Sequence, residues 1–197
     1  MLLGVGAAAP GAPGHLADRP GLTSVEALSS AGQRITYPAS RHPTLVLPNG
    51  QRRPVLSLLN MRHHMQFGDY LWNDSGIPAG PAWVRIDLGR QTLSVFRAGN
   101  EIGTAIVLFG ADRKPTPLGV FPVLAKAITH RSTLYNAEMP FMLRLTADGV
   151  AIHASNVHKG AATHGCIGVP PAFARLLYGQ MQIGDQVAIV ASYTNLL

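Results

Sequence analysis

The 197-residue chain has one cysteine, Cys166, so an intramolecular disulfide is excluded. Charge is scarce as well, at 13% of residues, where about 25% is usual for a globular domain. The shortage is greatest on the acidic side, with 10 Asp and Glu against 16 Lys and Arg and a formal net charge of +6. A basic balance suits nucleic acid, an anionic membrane surface or an acidic polymer. No block of Lys/Arg and no basic–aromatic ladder is present, Arg52-Arg53 being the densest pair, so the footprint of a nucleic-acid binder is missing. Long apolar runs are lacking too: none reaches the roughly 18 residues that a membrane-spanning helix needs.

What is abundant is apolar, at 47%, together with 21 Gly and 15 Pro. That composition favours short strands joined by many turns, and the length fits one domain plus an extension. Residues 1–21 read as a flexible leader. Its opening Met1-Leu2-Leu3-Gly4-Val5-Gly6-Ala7-Ala8-Ala9 is like the tail of a secretory signal without the basic n-region, which favours an exported, periplasmic protein. Residues 22–82 read as an irregular N-terminal extension, with a capping box at Thr23-Ser24-Val25-Glu26 opening a short helix. His63-His64, beside Met61 and Met65, are read as solvated loop residues rather than metal ligands.

From residue 83 to 191 the pattern is β. Val84, Ile86 and Leu88 alternate with Arg85 and Asp87 as in a half-buried strand. Turns at Gly89-Arg90 and Arg97 to Asn100 then make a meander with Thr92–Phe96 and Glu101–Phe109. Further strands are expected at Val120–Ala125, Leu143–Thr146, Val150–His153 and Gln186–Val190. One helix is expected after Pro170-Pro171, with Phe173, Leu176 and Leu177 on one face and Gly179 just past its end. The fold class is mainly β, a compact sandwich or barrel with one or two short helices.

Chemistry concentrates between residues 151 and 169. His153 ends an apolar strand, and Cys166 follows thirteen positions later in Thr163-His164-Gly165-Cys166-Ile167. A thiolate is the attacking form of cysteine, and an imidazole nearby can take the thiol proton. Gly165 permits backbone geometry that aims amides at a developing oxyanion. Two other readings remain open: a zinc site from His153, His158, His164 and Cys166, whose spacing fits no finger or His-Glu-x-x-His helix, and a buried structural thiol.

The order His, gap, Thr-His-Gly-Cys, apolar residue resembles the catalytic domain of the L,D-transpeptidases, the YkuD-like family. Thr116-Pro117-Leu118-Gly119-Val120-Phe121 is similar to that family's Thr-Pro-x-Gly-x-Phe element, and the likeness runs from about residue 83 to 190. The resemblance implies Cys166 as nucleophile, His153 as base and proton donor, and the Ala154 carbonyl as its orienting partner. Amides at Gly165 and Cys166 would make the oxyanion hole, with His164 and Thr163 shaping the site and Tyr135 and Phe141 as pocket walls. It implies no metal or other cofactor. The implied partners are tetrapeptide stems of peptidoglycan, cut with loss of D-alanine and transferred to an amine, and carbapenem-type β-lactams as inhibitors. Water as acceptor would give an L,D-carboxypeptidase, and loss of turnover a wall-binding module. The chain departs from the pattern at Gly168, where the family usually places Arg; Arg144, Lys159 and Arg175 are candidate replacements.

Overall fold

A computed structural model describes residues 34–61, 64–110, 114–132, 136–161 and 163–191. The leader, the capping box at Thr23 to Glu26, His63 and Tyr135 lie outside the described residues. Five three-residue strands precede the meander: β1 (Arg34–Thr36), β2 (Thr44–Val46), β3 (Arg52–Pro54), β4 (Ser57–Leu59) and β5 (Tyr70–Trp72). The meander is β6 (Ala82–Asp87), β7 (Thr92–Arg97) and β8 (Asn100–Ile106). Its second turn has positive φ at both central residues, Ala98 (47°) and Gly99 (76°), the geometry whose twist matches that of paired strands. After it come β9 (Gly119–Pro122), β10 (Ala125–Ala127), β11 (Met142–Arg144), β12 (Ala151–Ala154), β13 (Ile167–Val169), α1 (Pro171–Gln180) and β14 (Gln186–Val190).

The main sheet runs β1-β4-β8-β7-β6-β14-β9, with β5 also paired to β8, and a second sheet runs β10-β11-β12-β13. One core lies between them: Val84, Ile86, Leu93 and Val95 from the first sheet meet Leu143, Ile152, Ile167 and Val169 from the second, with Phe173 and Leu177 of α1. Phe173 packs against Tyr70 and Trp72 with ring centroids 5.9 and 5.7 Å away. Burying an aliphatic or aromatic side chain of this kind stabilises the fold by about 1.5–3 kcal/mol.

Several expectations change. β6 is covered on both faces rather than half-buried. Trp83 stacks on Phe96 at 4.6 Å on the far side from the core, under Leu47 and Val55 of the N-terminal extension. The strand expected at Val120–Ala125 is two strands. β9 pairs with β14, and β10 joins the second sheet beside β11. Pro122 lacks the N–H a central strand needs, and Val123 and Leu124 cross between sheets, bonding to Asp185 O and Arg144 O. In α1 the buried face is Phe173, Ala174 and Leu177, while Leu176 is 38% exposed. Gly179 lies inside the helix, which ends where the Met181 N–H bonds to Leu177 O.

Candidate active site

The short parallel pair β12–β13 brings the sequence motif together. Ile152 pairs with Ile167, His153 with Gly168 and Ala154 with Val169. One step back along both strands sets Cys166 beside Ala151. Side chains alternate across a strand, so Ile152, Ile167 and Val169 anchor both strands in the core while His153 and Cys166 face a cavity of about 490 Å³. Cys166 rests against Met139, Met142 and Ala151.

His153 Nδ1 lies 2.8 Å from the Ala154 carbonyl. A carbonyl only accepts, so Nδ1 carries the proton and Nε2 keeps its lone pair. Burial lowers the imidazole pKa, opposed by the bond to Ala154. The Cys166 thiol is pushed up, first by burial and then by Asp148, while the Ala151 amide and Lys114 act in the other direction. It donates to the Gly149 carbonyl at 3.7 Å. Both shifts favour the neutral pair, a thiol and an unprotonated imidazole, over thiolate and imidazolium.

The segment before the cysteine is held by a separate set of bonds. Gly165 has φ 99°, a left-handed conformation that side chains other than glycine's disfavour. Its carbonyl accepts from the Thr116 hydroxyl at 3.0 Å, and Thr116 Oγ1 in turn accepts the Gly110 N–H at 2.9 Å. Thr163 donates its hydroxyl to the Cys166 carbonyl and its N–H to Phe109 O at 3.1 Å. Because a peptide unit is planar, fixing the Gly165 carbonyl also fixes the direction of the Cys166 N–H. Gly110 sits so close that a Cβ there would lie 2.2 Å from Lys114 O and 2.7 Å from Gly165 Cα.

Of the residues singled out in the sequence, His153, Thr163, His164 and Cys166 line the cavity. Phe141 does not. It takes φ 55° and packs edge-on against Tyr178 at 5.8 Å, towards the helix. His158 is exposed, its ring beside the Lys159 carbonyl. Among the described residues no group of three or more His, Cys, Asp or Glu side chains is arranged to hold a metal ion, and no helix is long and apolar enough to cross a membrane. The sequence reading missed Lys114, His130, Met139 and Asp148, which wall the cavity. His130 and Met139 face each other on a hairpin arm tied by the Met139 N–H to His130 O bond, in a stretch with no alternation to betray it. Gly168 has no room for a side chain: a Cβ would meet Ser155 Cβ at 2.8 Å. Arg144 lines the cavity, whereas Lys159 and Arg175 do not.

Residues 81–189 match the family described as YkuD, L,D-transpeptidase catalytic domain. Among solved structures the chain is similar to an L,D-transpeptidase from Stackebrandtia nassauensis, at 24% identity and TM-score 0.54 over 60% of this chain and 59% of that one. It is also similar to an L,D-transpeptidase from Xylanimonas cellulosilytica, at 26% identity and TM-score 0.51 over 57% and 62%. An L,D-transpeptidase from Mycobacterium smegmatis shares the fold over 86% of this chain and 87% of its own, at 18% identity and TM-score 0.53. The chain thus spans about three-fifths of the length of the first two. No curated protein matches it.

Proposed function

The chain belongs to the L,D-transpeptidase catalytic-domain family, and on that footing we propose that it is a peptidoglycan L,D-transpeptidase working through a Cys166 acyl-enzyme. The observation that carries this is that Cys166 and a His153 whose Nδ1 is held by Ala154 O at 2.8 Å face one cavity. His153 Nε2 takes the thiol proton as Sγ attacks the amide carbonyl before the terminal D-alanine of a tetrapeptide stem. The carbonyl oxygen becomes an oxyanion, stabilised by the Cys166 N–H that the Gly165–Thr116 bond aims. Collapse breaks the C–N bond, the proton passes from His153 to the leaving amine, and D-alanine departs. An amine of a second stem then attacks the thioester, gives its proton to His153 and restores the thiol. Burial disfavours the charged form of both groups, which suits proton transfer that accompanies attack rather than preceding it.

The reading includes export to the periplasm, where such stems are found, and acylation by carbapenems, which offer a strained amide to the same thiol. The test gives purified protein muropeptide tetrapeptides with an acceptor amine and analyses the products by mass spectrometry. Crosslinked dimers with loss of D-alanine, absent with Cys166→Ala, are expected. Tripeptides alone would make it a carboxypeptidase. Neither product, no carbapenem adduct and retention on intact sacculi would replace the enzyme with a wall-binding module.

A further inference from the structure

The cavity is not electrically neutral. Among the described residues, Arg144 and Lys114 line it against a single carboxylate, Asp148. The position two residues after the cysteine offers no cation, since Ser155 occupies the space beside Gly168. Any anion-binding group has to come from elsewhere in the cavity wall.

Strand register shows where. Ala125 pairs with Arg144 and Arg144 with Ala151, and Ala151 neighbours Cys166 one step before the Ile152–Ile167 pair. Arg144 therefore stands on the cavity face in the same cross-strand row as the nucleophile, two strands away, or about 10 Å between Cα atoms. Its flanking partners are both alanines, so no bulky neighbour competes for the space over the row. Arg144 is exposed, and among the described residues the ion pairs are Arg85–Asp87, Arg97–Asp74 and Arg131–Glu138, which leaves its guanidinium without a carboxylate partner. In the donor, the terminal carboxylate is three covalent bonds beyond the carbonyl carbon that Cys166 attacks. An arginine reaching along the row towards that carbon meets a carboxylate at that remove.

We infer that Arg144 is the residue that binds the free terminal carboxylate of the donor, making this site select stems that end in an unblocked residue. The inference rests on the acyl-transfer reading above and adds to it the group that reads the leaving residue. A guanidinium holds a carboxylate through two parallel N–H···O bonds, which lysine's single ammonium cannot reproduce.

The experiment compares acylation of a tetrapeptide donor with that of the same peptide carrying a C-terminal carboxamide, on wild type, Arg144→Gln, Arg144→Lys and Lys114→Gln, with folding checked by thermal melting. Wild type is expected to favour the free acid by roughly ten- to hundredfold in kcat/KM, the worth of a charge-assisted contact. Arg144→Gln should lose that preference through a raised KM for the free acid. Arg144→Lys should keep part of it and Lys114→Gln all of it. Equal use of both donors by wild type, or an undiminished preference in Arg144→Gln, would overturn the carboxylate anchor and leave the transpeptidase intact. A preference lost with Lys114→Gln instead would move the anchor to Lys114. Failure of wild type to acylate either donor, with Cys166 still open to alkylation, would remove the acyl-transfer reading and the anchor with it.

Discussion

Gly110→Ala separates space from backbone freedom at this site. Gly110 does not occupy the left-handed region, so alanine can adopt its conformation, and the loss of unfolded-state entropy would by itself stabilise the protein by about 0.4–1 kcal/mol. Space decides the sign. The new Cβ would stand 2.2 Å from Lys114 O and 2.7 Å from both Gly165 Cα and Gly165 N. A carbon needs about 3.3 Å from such an oxygen, so either residue 110 or the Lys114 and Gly165 backbones must retreat by about 1 Å. Overpacking of this kind costs about 1–3 kcal/mol. Net of the entropic gain, the melting temperature should fall by up to about 10 °C, at about 2–4 °C per kcal/mol for a chain of this size. Function should suffer more. Gly165 precedes the proposed nucleophile, and a 1 Å misplacement of reacting groups costs on the order of a hundredfold. Stopped-flow carbapenem acylation and a thermal melt on the same preparation read both quantities. A raised melting temperature with wild-type acylation would refute the close approach and the link from Gly110 to the nucleophile.

Thr116→Val keeps the side chain's shape but leaves the Gly110 N–H and the Gly165 carbonyl unpaired. It should cost about 1–3 kcal/mol per orphaned group and slow acylation, with Thr116→Ser recovering both; an unchanged melt and rate would show that the hydroxyl bond contributes nothing. His153→Gln should slow acylation by about 10²–10⁴. In wild type the lowered imidazole pKa keeps the base competent at and below pH 6.5, so the acid limb of the rate should fall below that of a free histidine, which a pH profile of acylation measures. Glu101 is buried and its pKa raised by burial, so the folded state holds a proton that the unfolded state has lost. Its contribution is therefore complete below the ordinary pH 4.5 and declines as pH rises from there towards the raised folded value. Glu101→Gln should gain on wild type in melting temperature between pH 4 and 8, and parallel curves would contradict this.

The candidate motif was legible as a unit because its residues lie close in sequence. The link between His153 and Cys166 is short, with His153 on β12 and Cys166 directly before the adjacent β13, so one segment of sequence holds both groups. The alternation in the meander was legible for the same local reason. What could not be read depends on register. Of the three cations named from the sequence, Arg144 alone enters the site because β11 pairs with β12 at Ala151, and Phe141 leaves it because its backbone turns at φ 55°. Gly110, an isolated glycine, gives no hint that Gly165 lies against it. The extension looked irregular because three-residue strands are too short to show a period, although β4 and β5 both pair with β8. The double burial of β6 follows from that same extension and from no pattern in β6 itself.

The position of β14 has a consequence for the time course of synthesis. This strand, Gln186–Val190, lies between β6 and β9, parallel to one and antiparallel to the other, and Val187, Ala188 and Ile189 are wholly buried. It leaves the ribosome after the other described strands, yet β9 has no other neighbour in the main sheet. Until β14 has been made, β6 therefore presents an open edge and β9 has nowhere to dock. A nascent chain in that condition must be kept from pairing with others like it. Its final closure brings together segments about a hundred residues apart, the kind of contact that makes folding slow.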